Sequence, residues 1–408
     1  MNCDLTKHMP PMLAGEELLR AMTILPDYDA AVCSKPASDR LIELSNLYQL
    51  YIPSPMSLEI YSKLYLALMR SLRKKTNRAV ILQKYENLKA TKQQDYEGII
   101  GGSDSFTIIG VSGIGKSSAI SRSLTLIAGN GVIELEQPYS KIIPYVVVQC
   151  PFDSSVKGLL LEILRKVDDQ LESNYYRNAL KVKATVDMLI GSVSQVALNH
   201  IGLLVVDEIQ NVVNSKTGKQ LIGMLTQLIN NSGISICMVG TPESTVFFEQ
   251  ALQLARRSLG LQYGKLEYDA YFCDFCRSAY EYQYVRHKAS ITPATIEWLY
   301  AHSSGVISVV VSLIHDAQEI AILNGTDELN QTALNEAYQK RLAMLHSYIQ
   351  PPPVKRPSAA LMRKQVRAVQ KPVIESVSIE ELAAKAKAEK LDMVALLKEH
   401  IPVDEVKL

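Results

Sequence analysis

The hydrophobic and polar positions of this chain change rhythm several times, and each change predicts a different kind of element. Up to about residue 50, short apolar pieces are interrupted by Pro10, Pro11, Pro26 and Pro36. Proline spacing of this kind predicts an extended, loosely packed arm with at most short helices. After Pro53-Ser-Pro55, the residues Leu58, Tyr61, Leu64, Tyr65, Leu68 and Leu72 recur at three- and four-residue spacing. That period predicts a helix from Ser57 to about Leu72 with one buried face. From 104 to 260, short apolar runs alternate with amphipathic stretches. Strands are predicted at Phe106–Ile109, Val132–Leu135, Pro144–Gln149, Ile201–Val206 and Ile234–Val239. Helices are predicted at Ser118–Ala128, Ser155–Leu171, Val182–Leu198 and Thr217–Ile229. A run such as Ile201–Val206, apolar on both faces, marks a central parallel strand covered on both sides. The alternation predicts an α/β fold with a doubly wound parallel sheet sandwiched by helices. From 290 onward the period is helical throughout, at Pro293–Ala301, Val306–Leu323 and Asn330–Tyr348, which predicts a small helical bundle.

The first predicted strand of the sheet runs straight into Gly110-Val111-Ser112-Gly113-Ile114-Gly115-Lys116-Ser117-Ser118. Strand, glycine loop and helix follow in that order, and the loop fits G-x-x-x-x-G-K-[ST] at every fixed position. Glycines let backbone N–H groups face phosphate oxygens, and the helix N-terminus adds its partial positive charge. Lys116 is expected to reach the β- and γ-phosphates of ATP, and Ser117 to bind Mg²⁺. The buried Ile201–Val206 strand ends in Asp207-Glu208, the second half of such a site. In an open α/β sheet both motifs lie at carboxyl ends of strands, where ligands bind. Asp207 is expected to hold the Mg²⁺, and Glu208 to orient and deprotonate the attacking water. Arg256 and Arg257 follow on the next helical stretch. Phosphoryl-transfer sites borrow arginines from neighbours to neutralise developing charge. An arginine finger here, on the far flank from its own site, would act in trans and would require an oligomer.

Composition narrows the picture without redirecting it. Of 408 residues, 47% are hydrophobic and 21% charged, the balance of a globular protein with a sizeable core. The net charge of +1 means that nucleic-acid contact has to come from local basic patches. Six cysteines in a chain of this length form no disulfide framework. The early acids Asp4, Glu16 and Glu17 disfavour a signal peptide, and no apolar run reaches the roughly 18–20 residues of a membrane span, so a cytoplasmic location is expected.

Cys150-Pro-Phe-Asp-Ser-Ser-Val-Lys157-Gly, Gly202-Leu-Leu-Val-Val-Asp-Glu-Ile-Gln-Asn211, Gly240-Thr-Pro-Glu243 and Ala255-Arg-Arg-Ser-Leu-Gly260 together resemble the AAA+ transposition regulators of the TnsC/TniB group, more closely TnsC. The resemblance spans about 145–260, is weaker after 290, and is negligible before 50. It implies an AAA+ P-loop ATPase that assembles on double-stranded DNA as a homo-oligomer, a hexameric or heptameric ring or a helical filament. Such proteins answer a TniQ/TnsD-type targeting protein, engage the transposase subunits TnsB and TnsA, and are reset by hydrolysis. Within it, Lys116, Ser117, Asp207 and Glu208 match the nucleotide motifs, and Arg256 and Arg257 match the trans-acting arginine region. Thr241 takes the polar position that senses the γ-phosphate or holds the lytic water. Pore-loop DNA contacts would fall to Lys157, Lys216 and Lys219. The lid segment Ser303-Ser-Gly-Val-Ile-Ser308 carries no sensor arginine, a departure from many AAA+ proteins. The other readings are a replication-type AAA+ loader, for which no helix-turn-helix domain is visible, and a STAND-like signalling ATPase, for which no repeats are visible.

The expected organisation is a partly helical, partner-binding extension over 1–100, the nucleotide domain over 101–268, a helical lid over 269–350 and a tail over 351–408. No chemistry is assigned before Gly101; the basic run from Arg70 to Arg78 reads as a solvated face, a phosphate contact or a contact with a partner's acidic surface. Cys273-Asp-Phe-Cys276 lacks the further ligands of a zinc site. Residues 354–374 hold Lys355, Arg356, Arg363, Lys364, Arg367 and Lys371 without one acid, a basic linker. The segment Ile379–His400 beyond it is expected to fold on a partner, a transposase component.

Overall fold

The computed structural model describes residues 5–75, 105–128, 131–136, 139–212, 218–245 and 260–346. The chain divides into two units, Met1–Pro351 and Pro352–Leu408, and the described residues all lie in the first. The basic linker and the tail segment thus lie outside the described residues.

A six-stranded sheet organises the fold, in the order β2-β3-β4-β5-β1-β6. Its strands are β1 (Phe106–Gly110), β2 (Ile133–Glu136), β3 (Tyr139–Gln149), β4 (Ile201–Asp207), β5 (Ser235–Gly240) and β6 (Leu261–Tyr263). From β3 to β6 every neighbouring pair is parallel. The edge strand β2 departs from the parallel expectation and pairs antiparallel with β3, Ile133 opposite Ile142. The reason is connection length: two residues separate β2 from β3, enough for a hairpin, whereas a parallel crossover needs a dozen or more.

Alternation along the strands distributes two cores. Leu203 and Val205 of β4, with Cys237 and Val239 of β5, face α3 (Pro55–Lys75) and α4 (Lys116–Ala128). Leu204, Val206, Ile236 and Met238 face α5 (Val156–Leu171), α7 (Val186–His200) and α8 (Gly218–Ser232). Successive side chains of a strand point to opposite faces, so a run apolar at every position is what two covered faces require. The helix between these two, α6 (Tyr175–Lys181), was not anticipated. The predicted Val182 start for α7 is also corrected: Lys183 takes a φ of 52°, and Thr185 caps the helix at the Met188 N–H.

The α3 helix buries Tyr61, Leu64, Tyr65, Leu68 and Leu72 of the predicted stripe and leaves Leu58 half-buried, while Ile60, outside that stripe, is fully covered. Its basic end has a structural task at Lys75. Lys75 Nζ donates to the carbonyls of Ala197 (2.8 Å) and Leu198 (2.7 Å), closing the last turn of α7, where a cation also meets the negative end of the helix dipole.

The segment expected to form the lid is a helical bundle of α9 (Ala270–Glu281), α10 (Pro293–Ser303), α11 (Ile307–Leu323) and α12 (Gln331–Lys340). Its core corrects the expected loose arm. Val32, Leu44 and Leu47, from short helical turns and from α2 (Ala37–Leu44), are wholly buried against α9 and α11 residues. Prolines break this stretch into pieces but leave each piece an apolar side to bury. Among the described residues no single helix is long and apolar enough to cross a membrane.

Candidate functional site

The loop from β1 to α4 lies at the carboxyl edge of the sheet. Gly113 has a φ of 80°, in the left-handed region, and its carbonyl accepts a 3.1 Å hydrogen bond from the Ser308 N–H at the start of α11. A Cβ on Gly113 would sit 2.3 Å from Ser308 Oγ and 2.9 Å from Val306 Cγ1. The lid thus rests on the loop through Ser308, in the segment that lacks a sensor arginine. Gly113→Ala is expected to cost about 1–2 kcal/mol through backbone conformation alone, and to push the lid off the loop. Urea denaturation and titration with a fluorescent ATP analogue measure the two effects; unchanged nucleotide affinity would remove the lid contact from the site.

Lys116 opens α4 and turns back over the loop, Nζ donating to Gly110 O (2.6 Å) and Val111 O (2.9 Å). An ammonium has three donors, so one remains for a phosphate oxygen. Burial pulls its pKa below the ordinary lysine range, against the opposing pull of Asp207, Glu208 and Glu243. Phosphates entering beside it would supply the missing negative charge and favour the charged form.

The two halves of the site meet across the sheet. β5 lies between β1 and β4, yet all three strands end at one edge because they are parallel. Ser117 Oγ donates to Asp207 Oδ2 at 3.3 Å. Beyond Asp207 the chain bends sharply: Glu208 has a φ of 58°, and its N–H donates to Asp207 Oδ1 at 2.8 Å. Sequence reasoning missed Gln210. Its Nε2 donates to Glu208 Oε2, and its Oε1 accepts from the Thr241 N–H at 3.3 Å. Thr241 therefore stands beside Glu208 through Gln210, while its hydroxyl holds the Glu243 carboxylate below the usual range. Ser112, Lys116, Asp207, Glu208, Gln210 and Ser308 line a cleft of about 230 Å³.

A second cavity, of about 200 Å³, adjoins the loop at Gly113 and Ile114. Tyr48, Leu50, Ile52, Phe275, Ile307 and Val311 contribute to the apolar part of its wall. Residues before Gly101 therefore contribute to the site region. Tyr51 is fixed there by backbone bonds to Ile24 (2.8 Å each way), and Tyr271 donates its hydroxyl to Ile52 O at 2.9 Å. The one sequence signal was the apolar run Leu50-Tyr-Ile52 directly before Pro53.

Other candidates lie elsewhere. Arg256, Arg257 and Lys216 lie outside the described residues. Lys219 sits in α8, with its side chain outside them. Lys157 is exposed at the start of α5 and does not line the cleft. Cys276 is buried and its thiol is pushed far above the usual range by desolvation, the opposite of a metal-binding thiolate. Among the described residues the one close His and carboxylate group is His315, Asp316 and Glu319 on α11, and it includes neither cysteine.

Residues 76–262 match the family model described as Bacterial TniB protein. No curated protein matches the chain. Among solved structures, the chain is similar to the Aeropyrum pernix ORC1 protein in complex with DNA, at 14% identity over 80% of this chain and 79% of that one, with a TM-score of 0.42. It is also similar to the Walker-type ATPase Paby2304 of Pyrococcus abyssi, at 12% identity over 77% and 87%, with a TM-score of 0.35. Neither structural likeness is close enough to assign a role. The family match is different, because it contains the glycine loop, Asp207 and Glu208. Across residues 76–262 the chain is therefore similar to the TniB family.

Proposed function

We propose that this chain is an ATP-dependent regulator of transposition that assembles on target double-stranded DNA, links a TniQ/TnsD-like targeting protein to the transposase subunits TnsB and TnsA, and is reset by ATP hydrolysis. The observation that carries the reading is the 3.3 Å contact between Ser117 Oγ and Asp207 Oδ2, beside the free donor of Lys116. These hard oxygen ligands suit Mg²⁺, which prefers carboxylate, hydroxyl and phosphate oxygens. Ser117 and Asp207 are the residues to hold the ion, which would screen phosphate charge when bound. Backbone N–H groups of Val111–Ser118 and the Lys116 ammonium hold the phosphates. The apolar cavity walled by Leu50, Ile52 and Phe275 takes the nucleobase, beside the loop.

Glu208 accepts a proton from the attacking water as its oxygen bonds the γ-phosphorus and the bond to ADP breaks. Thr241 stands where the γ-phosphate or the water is sensed. Arg256 and Arg257 act on a neighbouring subunit's site, so the site is completed only in an oligomer. Lys157, Lys216 and Lys219 are the candidate DNA contacts, and the segments 1–100 and 351–408 the candidate partner-binding regions.

Electron microscopy of the purified chain with duplex DNA tests the reading. Rings or filaments on DNA are expected with a non-hydrolysable ATP analogue, and far fewer with ADP. Monomers under both conditions would sink it.

A further inference from the structure

Glu208, Gln210 and Asn211 share one tight turn at the end of β4, and its two amide side chains are used in different directions. Gln210 faces the cleft and holds Glu208, as above. Asn211 holds the Pro151–Ser155 loop that follows β3. Its Nδ2 donates to Cys150 O at 3.0 Å, and its carbonyl accepts from Ser154 Oγ at 2.8 Å. A third bond, Cys150 N–H to Asp207 O at 2.8 Å, ties the same loop to the strand end. Ser154 is wholly buried with a φ of 52°, a conformation that non-glycine residues hold only under constraint from their surroundings.

At the tip of this clasped loop Phe152 is 91% exposed. An aromatic ring carried into solvent on a pinned loop is a contact element in waiting, and the exposed Lys157 stands five residues on. The pair suits duplex DNA: a lysine for phosphate and an apolar ring for sugar or base edges. On the opposite side, the turn is pressed against the end of β5. A Cβ on Gly240 would lie 2.6 Å from Ile209 Cγ2 and 3.2 Å from Gln210 Oε1. Ile209 and Gln210, the two residues before Asn211, are thus packed closely against Gly240.

We propose that the Glu208–Asn211 turn couples the Phe152 loop to the hydrolytic carboxylate: Gln210 is a positioning residue for Glu208, and Asn211 passes the load of duplex DNA on the loop to it. The inference rests on the proposed roles of Glu208 and of duplex DNA.

The test uses the full chain, steady-state ATP hydrolysis with and without duplex DNA, and DNA affinity by anisotropy. Gln210→Ala is expected to lower kcat by about 100-fold, the scale of a misplacement of about 1 Å at a reacting group, with KM changed less than about twofold. In a Glu208→Gln background the same change is expected to have no further effect, which a general loss of structure would not reproduce. Asn211→Ala is expected to keep basal turnover and DNA affinity within about twofold while losing the change in turnover that DNA causes. Ser154→Ala, which cuts another bond of the clasp, serves the same purpose where Asn211→Ala fails to fold. A normal kcat in Gln210→Ala, or a wild-type response to DNA in both clasp variants, overturns the coupling. Failure of the wild-type chain to bind duplex DNA overturns the functional reading itself and removes the partner assigned to the loop.

Discussion

Glu208→Gln is expected to lower ATP turnover by about 10²–10⁴-fold, the range that a positioned general base contributes, while nucleotide affinity stays within about threefold. The substitution keeps the shape of the side chain and an oxygen to accept from Gln210 Nε2, so the turn has no reason to move. It removes the capacity to take a proton. Lys116, Ser117 and Asp207, the groups proposed to hold the phosphates and the ion, are untouched. The variant should therefore separate binding from cleavage. If hydrolysis resets the assembly, Glu208→Gln should also hold the chain on DNA longer, visible as slower dissociation after dilution. Lys116→Ala makes the contrasting control, since it should lose affinity as well as turnover. Unaltered turnover in Glu208→Gln would remove it from the base role.

How much of this was legible in the sequence follows from the range of each interaction. The glycine loop and the Asp207-Glu208 strand end are local patterns, and each is readable within about ten residues. The two cores were readable because the central strands carry unbroken apolar runs, Leu203–Val206 and Ile236–Val239. Gln210 was not readable. Its importance comes from Thr241, which reaches it only once β5 has inserted between β1 and β4. The β6 strand escaped for a different reason: three half-exposed or exposed residues carry no periodic signal. The arm was misjudged because its buried residues come from several short turns, with no window long enough to show a period. Their partners lie in the lid, far along the chain. Pattern reading sees neighbours in sequence, whereas the arm is held by neighbours in space.

The strongest of those distant contacts yields the second large expected effect, in stability and through it in nucleotide binding. Arg40 is 1% exposed. It pairs bidentately with Asp327, Nη1 bonding Oδ1 and Nη2 bonding Oδ2 at 3.2 Å, while Nη1 also donates to Tyr284 O at 3.1 Å. Arg40→Ala would leave a largely buried carboxylate without its main partner and a buried carbonyl without its donor. Arg286 Nε, 3.8 Å from Asp327 Oδ2 and half-exposed, offers only partial compensation. Breaking one side of such a pair costs about 3–5 kcal/mol, a large share of the roughly 5–15 kcal/mol that holds a typical domain together. The loss should not stay in the lid. The stretch that follows Arg40 carries Tyr48, Leu50 and Ile52 into the wall of the cavity beside the glycine loop. Loosening the arm should therefore weaken nucleotide affinity although no group that touches phosphate has changed. Arg40→Met with Asp327→Asn removes both charges and is expected to regain more than half of the lost stability, since asparagine tolerates the φ of 50° at that position. Urea denaturation and analogue binding on the single and double variants measure both consequences. A loss below about 1 kcal/mol in Arg40→Ala would mean that the pair behaves as a surface ion pair and that apolar packing alone anchors the arm.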